Sequence, residues 1–159
     1  MSHWGELTEG RAKGIAIGER SGSIAAGVAE VSVDADSNEV RVHRFWTAID
    51  AGIIVQPDNA VAQMEGSIVM GLSSALSERV SLKNGAVEQS NYHDYSIMRM
   101  SRAPEVHVHL IASTERPTGI GEPGVPITAP AVANAFLALT GKPLRHMPFT
   151  PERVKAALG

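Results

Sequence analysis

The sequence predicts an α+β fold, a mixed sheet built from β-hairpins with two main helices packed on it. Three observations carry that expectation. Val31-Ser-Val33, Val40-Arg-Val42 and Glu105-Val-His-Val-His-Leu110 alternate with the period of two that sends strand side chains to opposite faces. Apolar residues between Val61 and Leu76 recur instead at helical spacing. A second helical run, Ala131 to Leu139, is bracketed by Pro130 at its start and Gly141 at its end. A chain of 159 residues is long enough to enclose one core, so a single domain over 1–159 is expected, with 1–13 as an extended arm.

The elements follow in order. Ile24 to Val33 is small and apolar, Asp34-Ala-Asp-Ser-Asn38 is turn chemistry, and Val40-Arg-Val42 returns, giving a hairpin whose second strand runs on towards Ile49. Pro57 suits a first helical position, with Gln56 or Asp58 as the cap. Val61, Met64 or Glu65, Ile68, Leu72 and Leu76 form one apolar stripe, while Gln63, Gly66, Ser67, Met70, Gly71 and Ser74 form an opposite face that is mostly small. Two glycines inside a helix cost about 1 kcal/mol each relative to alanine, so close approach of another backbone or a ligand is expected there. Arg79 to Gln89 reads as a second hairpin turning at Asn84-Gly85. Thr128 is expected to cap the last long helix, with Pro130 in its first turn, and Thr150-Pro151 opens a short C-terminal helix. Ser90 to Pro104 and Ser113 to Ile127 follow neither period and read as long loops, which often carry function.

Composition narrows the function classes. Charged residues are only 19% and glycines number 15, which leans towards an obligate partner. The net charge of −3, with no basic run, argues against nucleic acid and anionic membranes as partners. Without cysteine the chain can form no disulfide, thiolate zinc site or iron–sulfur cluster. No window approaches the roughly 20 apolar residues of a membrane span. The first residues carry no signal-peptide pattern. As it stands the chain is expected in the cytoplasm, with a periplasmic home left open for a fuller assembly.

Two residues stand out as candidate chemistry. Glu122 lies in Gly119-Ile-Gly-Glu-Pro-Gly124, where glycines and prolines leave no neighbouring side chain to cover it. The run matches the spacing G-x-G-x-x-G of dinucleotide sites, but the context is wrong. Ser113-Thr-Glu-Arg-Pro117 is no buried strand, Pro123 and Pro126 are expected to block a helix start, and no acid follows at the required distance. A presented carboxylate and a solvated surface glutamate both fit the residues, and the second is the commoner use of a loop glutamate. Gln63 can both donate and accept, which suits the edge of a heterocycle; one polar residue on a helix-packing face is the commoner reading of such a pattern. His107 and His109 share a strand face with Glu105, but no fourth metal ligand is evident and an exposed face is the simpler reading. His93-Asp94 lacks a nucleophile to serve and reads as part of a loop network with Tyr92 and Tyr95.

Taken together, these segments resemble a known family. Gly119-Ile-Gly-Glu-Pro-Gly-Val-Pro-Ile-Thr-Ala-Pro-Ala-Val-Ala-Asn-Ala135 resembles the C-terminal signature of molybdenum hydroxylases of the xanthine dehydrogenase and aldehyde oxidase family. Asp50-Ala-Gly-Ile-Ile-Val-Gln-Pro57 followed by Gln63-Met-Glu-Gly66 resembles the second signature of the same region, in the expected order. Asn91-Tyr-His-Asp-Tyr95, Arg99-Met100 and Thr140-Gly-Lys142 are most similar to the isoquinoline oxidoreductase, nicotinate dehydrogenase and aldehyde dehydrogenase branch. Pro123-Gly124, where many members have two prolines, is also typical of that branch.

The resemblance implies the roles. Glu122 would be the general base that takes a proton from a water-derived hydroxyl on molybdenum before that oxygen attacks an electron-poor carbon. Gln63 would hydrogen-bond a molybdopterin-type cofactor, expected in its cytosine dinucleotide form. Gly121 and Gly66 would lie near it, so the glycine-rich helix face would have the cofactor, or the chain holding it, against it. No residue of the chain is expected to ligate the metal. The family's catalytic subunit is several times longer, so the chain reads as a fragment or split subunit, inactive alone. It would need the upstream portion of the molybdopterin-binding subunit, an iron–sulfur subunit and a further electron acceptor. The rival is a non-catalytic remnant that binds a partner or self-associates as a homo-oligomer through an unmatched apolar surface.

Overall fold

The computed structural model describes residues 4–6 and 8–159. Positions 1–3 and 7 of the stretch read as an arm lie outside the described residues. Strand β1, Ala12–Arg20, already begins within that stretch, and the sequence pattern does not announce it. It turns through Ser21 and Gly22, both with positive φ, into β2, Ser23–Val33. This is the two-residue geometry that matches the twist of paired strands. The turn Asp34 to Asn38 leads to β3, Val40–Asp50, which has the full length expected of the second strand. The Asp34 carboxylate accepts from the Ser37 backbone N–H at 2.7 Å and from its hydroxyl at 2.8 Å, which fixes that turn.

Helix α1, Pro57–Leu76, starts with Pro57 in its first turn and Gln56 as its cap, the Gln56 side chain accepting from Asp58 N. Met64, Ile68 and Leu72 of the apolar stripe are fully buried. The second hairpin is smaller than expected from Arg79 to Gln89: β4, Leu82–Lys83, and β5, Ala86–Val87, are minimal strands around Asn84-Gly85. Strand β6 is Glu105–Leu110, as the alternation indicates.

Helix α2, Val125–Thr140, corrects the sequence reading. It starts three residues ahead of Thr128. Pro126 does not block it, because a proline in the first turn lacks only an N–H that would have no helical partner. Thr128 is buried inside the helix and its hydroxyl donates back to Val125 O at 2.9 Å. Gly141 ends the helix in the left-handed conformation, its N–H reaching Leu137 O. Helix α3, Pro151–Leu158, closes the chain.

Among the described residues the main sheet runs β1-β2-β3-β6, with β3 and β6 parallel and the other pairs antiparallel. The sheet is therefore mixed, as expected, and both long helices lie on one face. Ala25, Ala29, Val31, Val42, Phe45 and Ile49 from the sheet meet Met64, Ile68 and Leu72 from α1 and Ile127, Val132 and Phe136 from α2. Fully burying one such Leu, Ile or Phe stabilises the fold by about 1.5–3 kcal/mol. Gly14 lets α2 sit directly on β1: a Cβ there would overlap the backbone of Ala131 and Ala135.

The other sheet face carries no long helix. Its rows follow the register: Lys13, Glu30, Arg44 and Glu105; then Ile15, Val28, Trp46 and His107; then Ile17, Ala26, Ala48 and His109. Ile15 and Ile17 are 53% and 74% exposed. His107 stacks on Trp46 at 5.7 Å and also meets Glu105 Oε1 at 3.1 Å. Among the described residues no group of three or more metal-capable side chains is found. No helix among the described residues is long and apolar enough to cross a membrane.

Candidate active site

The two sequence motifs meet at one end of the sheet. Three segments build the place: the β1–β2 turn, the turn from Ala51 into α1, and the loop from Ser113 to Gly124. Each is tied to the next by backbone. Ile53 N donates to Glu115 O at 2.9 Å and Thr118 N to Ala51 O at 3.0 Å. Gly119 N donates to Ser21 O at 3.2 Å. The Ser23 hydroxyl lies 2.7 Å from Thr118 Oγ1 and donates to Gly119 O. Ser23 is fully buried, so these bonds work away from water and hold the loop firmly. Gly52, at φ +69, makes the close approach possible, since a Cβ there would overlap Arg116 O.

From this platform the loop runs on to Gly121, Glu122, Pro123 and Gly124. Gly124 packs against Ser67 and Ile68 of α1. Gly71 packs against Thr128 and Val125 of α2. Ser67 and Gly71 therefore face the α2 segment, the close approach of another backbone expected at this small-residue face. Gly66 differs: nothing stands within 4 Å of where its Cβ would be. Gly121 is next to Gln63, its Cβ position lying 3.7 Å from Gln63 Nε2. Gln63 is exposed. A cleft of about 270 Å³ adjoins it, lined by Gln56, Asn59 and Gln63 on the helix and by Ile54, Thr118 and Ile120 opposite.

Glu122 is neither buried nor alone. Its Oε1 accepts from Arg20 Nε at 2.9 Å and meets Arg20 Nη2 at 2.7 Å. The side chains of the pair are 58% and 57% exposed. An ion pair this exposed contributes about 0–1 kcal/mol to stability, so the fold does not depend on it. Sequence reasoning does not single out Arg20. Ile15 and Ile17 alternate ahead of a Ser21-Gly22 turn, and that pattern is the one signal that could place Arg20 at a strand end.

The loop from Ser90 to Pro104 lies elsewhere. Asp94 accepts from the backbone of Asn91 and Ser90, bonds that hold its carboxyl below the ordinary value, while His93 stands 3.6 Å away. Tyr95 OH donates to Glu78 Oε2 at 2.7 Å. Asp94 and Tyr95 thus serve loop structure, each through separate bonds, while the Tyr92 side chain of the network read from the sequence is exposed.

Chemically, the arrangement offers a presented carboxylate, an unpaired carboxamide and an open stretch of helix at Gly66, close together. Gln63 has no hydrogen-bond partner among the described residues, and the glycine leaves a place where a flat polar ring can lie. The donor set and the free space thus fit a pterin. The fold is that of a molybdopterin-binding domain.

Comparison with known proteins agrees. Residues 9–104, more than half of the chain, match the model of the molybdopterin cofactor-binding domain. The chain belongs to that family, among the molybdopterin-binding subunits of the xanthine dehydrogenase group. It is 41% identical over 155 residues to isoquinoline 1-oxidoreductase subunit beta of Brevundimonas diminuta, covering 95% of this chain and 20% of the relative. It is 39% identical to a membrane-bound aldehyde dehydrogenase of Gluconacetobacter polyoxogenes, covering 82% of this chain and 17% of that one. Quinoline 2-oxidoreductase from Pseudomonas putida 86 shares the fold with a TM-score of 0.78 at 23% identity, over 86% of this chain and 18% of its own. The chain spans about one fifth of the length of these relatives.

Proposed function

We propose that this chain is the base-bearing part of a molybdenum hydroxylase that oxidises an aldehyde or an N-heteroaromatic compound with water as oxygen source. The observation that carries the reading is the meeting of the two motifs: Gly121, the residue before Glu122, lies against the carboxamide of Gln63. Gln63 would hold the molybdopterin by that carboxamide, with Gly121 and Gly66 leaving the ring room. When bound, the cofactor would supply the redox chemistry, accepting the substrate's electron pair. Glu122 would act as the general base, taking one proton from the water-derived nucleophile. A positioned base of this kind supplies about 100- to 10,000-fold in rate. The attachments at Ser21, Ser23 and Ala51 anchor the start of the loop that carries Glu122.

The relatives' much greater length supports a further step of the reading. The upstream portion of a molybdopterin-binding subunit completes the site, the cofactor takes its cytosine dinucleotide form, and an iron–sulfur subunit carries electrons to a further acceptor. Alone, the chain turns nothing over and holds no cofactor tightly. A purified 159-residue chain containing stoichiometric molybdenum would refute that. The base assignment is tested by Glu122→Gln in the reconstituted complex: molybdenum content stays and activity is lost. Full activity in that variant would remove the assignment.

A further inference from the structure

We infer that Arg20 is the positioning residue of Glu122, selecting which carboxylate oxygen acts as the base; the inference rests on the proposed function above. A glutamate side chain has three rotatable bonds, and this one rises from a loop whose neighbours are glycine and proline, which offer nothing to hold it. Arg20 is the one side chain bonded to it among the described residues. Both Arg20 contacts, Nε at 2.9 Å and Nη2 at 2.7 Å, go to the same oxygen, Oε1. Two N–H groups of one planar guanidinium on one oxygen restrict where the carboxylate can stand. Oε2 makes no bond to the arginine and keeps its lone pairs for a proton.

Arg20 itself is set by the same platform as the loop. It ends β1, paired with Ser23 across the turn. Ser21 and Ser23 are also the residues that bind Gly119 and Thr118. Arginine and glutamate thus extend from two segments that share one anchor, and their relative placement is fixed by it. In the proton step the O–H bond of the water-derived nucleophile breaks and an Oε2–H bond forms. Glu122 ends as a carboxylic acid whose Oε1 still accepts from Arg20.

The test has two parts. In the isolated chain, the Arg20 Nε–H resonance is followed by NMR. It is expected to move in Glu122→Gln; a resonance indifferent to that substitution overturns the pairing. In the reconstituted complex, Arg20→Ala is expected to lower kcat by about 10- to 100-fold with KM nearly unchanged, the scale of a misplaced catalytic group. Arg20→Lys, which keeps the charge and loses the fork, is expected to recover only part. Unchanged kcat in Arg20→Ala, or a rise in KM alone, overturns the inference. If Glu122→Gln abolishes activity while Arg20→Ala does not, the positioning role alone falls. If Glu122→Gln is fully active, the base reading falls first.

Discussion

Gly124 lies against Ser67 with no room for a β-carbon: a Cβ at position 124 would overlap the Ser67 hydroxyl and stand 3.0 Å from Ile68 Cδ1. The Pro123-Gly124 variant of the motif is thereby tied to the packing of α2 on α1. Gly124→Ala must push the loop away from the helix or rotate Ser67, whose hydroxyl donates to Met64 O at 2.8 Å. Overpacking of this kind costs about 1–3 kcal/mol. For a domain this size the melting temperature should fall by about 2–4 °C for each kcal/mol. Thermal unfolding followed by circular dichroism checks it, and an unchanged midpoint would show that the helices are not locked at this point.

Gly52 carries the second prediction. It stands at φ +69, where an L-residue costs about 1–2 kcal/mol, and a Cβ would also overlap Arg116 O. Gly52→Ala should therefore loosen the loop that carries Glu122 before it unfolds the domain. Hydrogen exchange reads this directly. The amides of Ile53 and Thr118, bonded to Glu115 O and Ala51 O, should exchange faster, while those at the centre of β2 and β3 keep their protection. Uniform acceleration across the sheet would mean that Gly52 serves the whole fold and not the loop.

How much of this is legible in the sequence follows the length of the pattern. β6 and α1 repeat a period several times and are read from it; β2 and β3 are read from short alternating runs on either side of the Asp34 to Asn38 turn. β1 is harder to read, because its alternation is only Ile15-Ala16-Ile17 with Gly14 and Gly18 on either side, where α2 and Ile127 approach. The start of α2 is hidden for a related reason. Proline is a breaker inside a helix but fits its first turn, and Thr128, a common capping residue, is here a buried packing residue. At the site, Glu122 and Gln63 stand out as motifs, whereas Arg20 does not. Its meaning depends on a bond to a residue 102 positions away, and no local spacing encodes that.

Acid sensitivity comes from His43 and from several carboxylates away from the site, Glu78 with Asp34, Asp94 and Glu152, all held below their ordinary values. His43 is held below its ordinary value near 6.5, first by burial and then by Arg11, Arg41 and Arg44, with Glu30 opposing. The folded chain binds that proton less readily than the unfolded one. Its contribution is thus complete above the ordinary value and is lost as pH falls through the lower folded value. Glu78 is also lowered from about 4.5: burial pushes it up most, but hydrogen bonds from Ser73, Tyr95 and Ser74 together outweigh it. Its contribution is lost at more acid pH. Urea midpoints should therefore decline in two stages on acidification. His43→Gln should flatten the first stage, and Tyr95→Phe should make the second shallower, since Ser73, Ser74 and the other carboxylates remain. A midpoint that rises as pH falls through the first window would contradict the sign.

Gly66 separates folding from function by opposite effects. Its place in α1 is open, with nothing within 4 Å of a Cβ, and a glycine inside a helix costs about 0.5–1 kcal/mol relative to alanine. For the isolated chain, Gly66→Ala should raise stability by about that amount, measurable in urea unfolding. If the open space belongs to the cofactor, a larger side chain there should be harmful in the complete enzyme. Gly66→Leu should fold as the parent does and yet lower the molybdenum retained after reconstitution, with Gln63→Ala lowering it through the lost carboxamide. Molybdenum content measured beside protein concentration decides the matter. If Gly66→Leu keeps a full complement of metal, the space beside Gln63 is not where the pterin lies, whatever the role of Glu122.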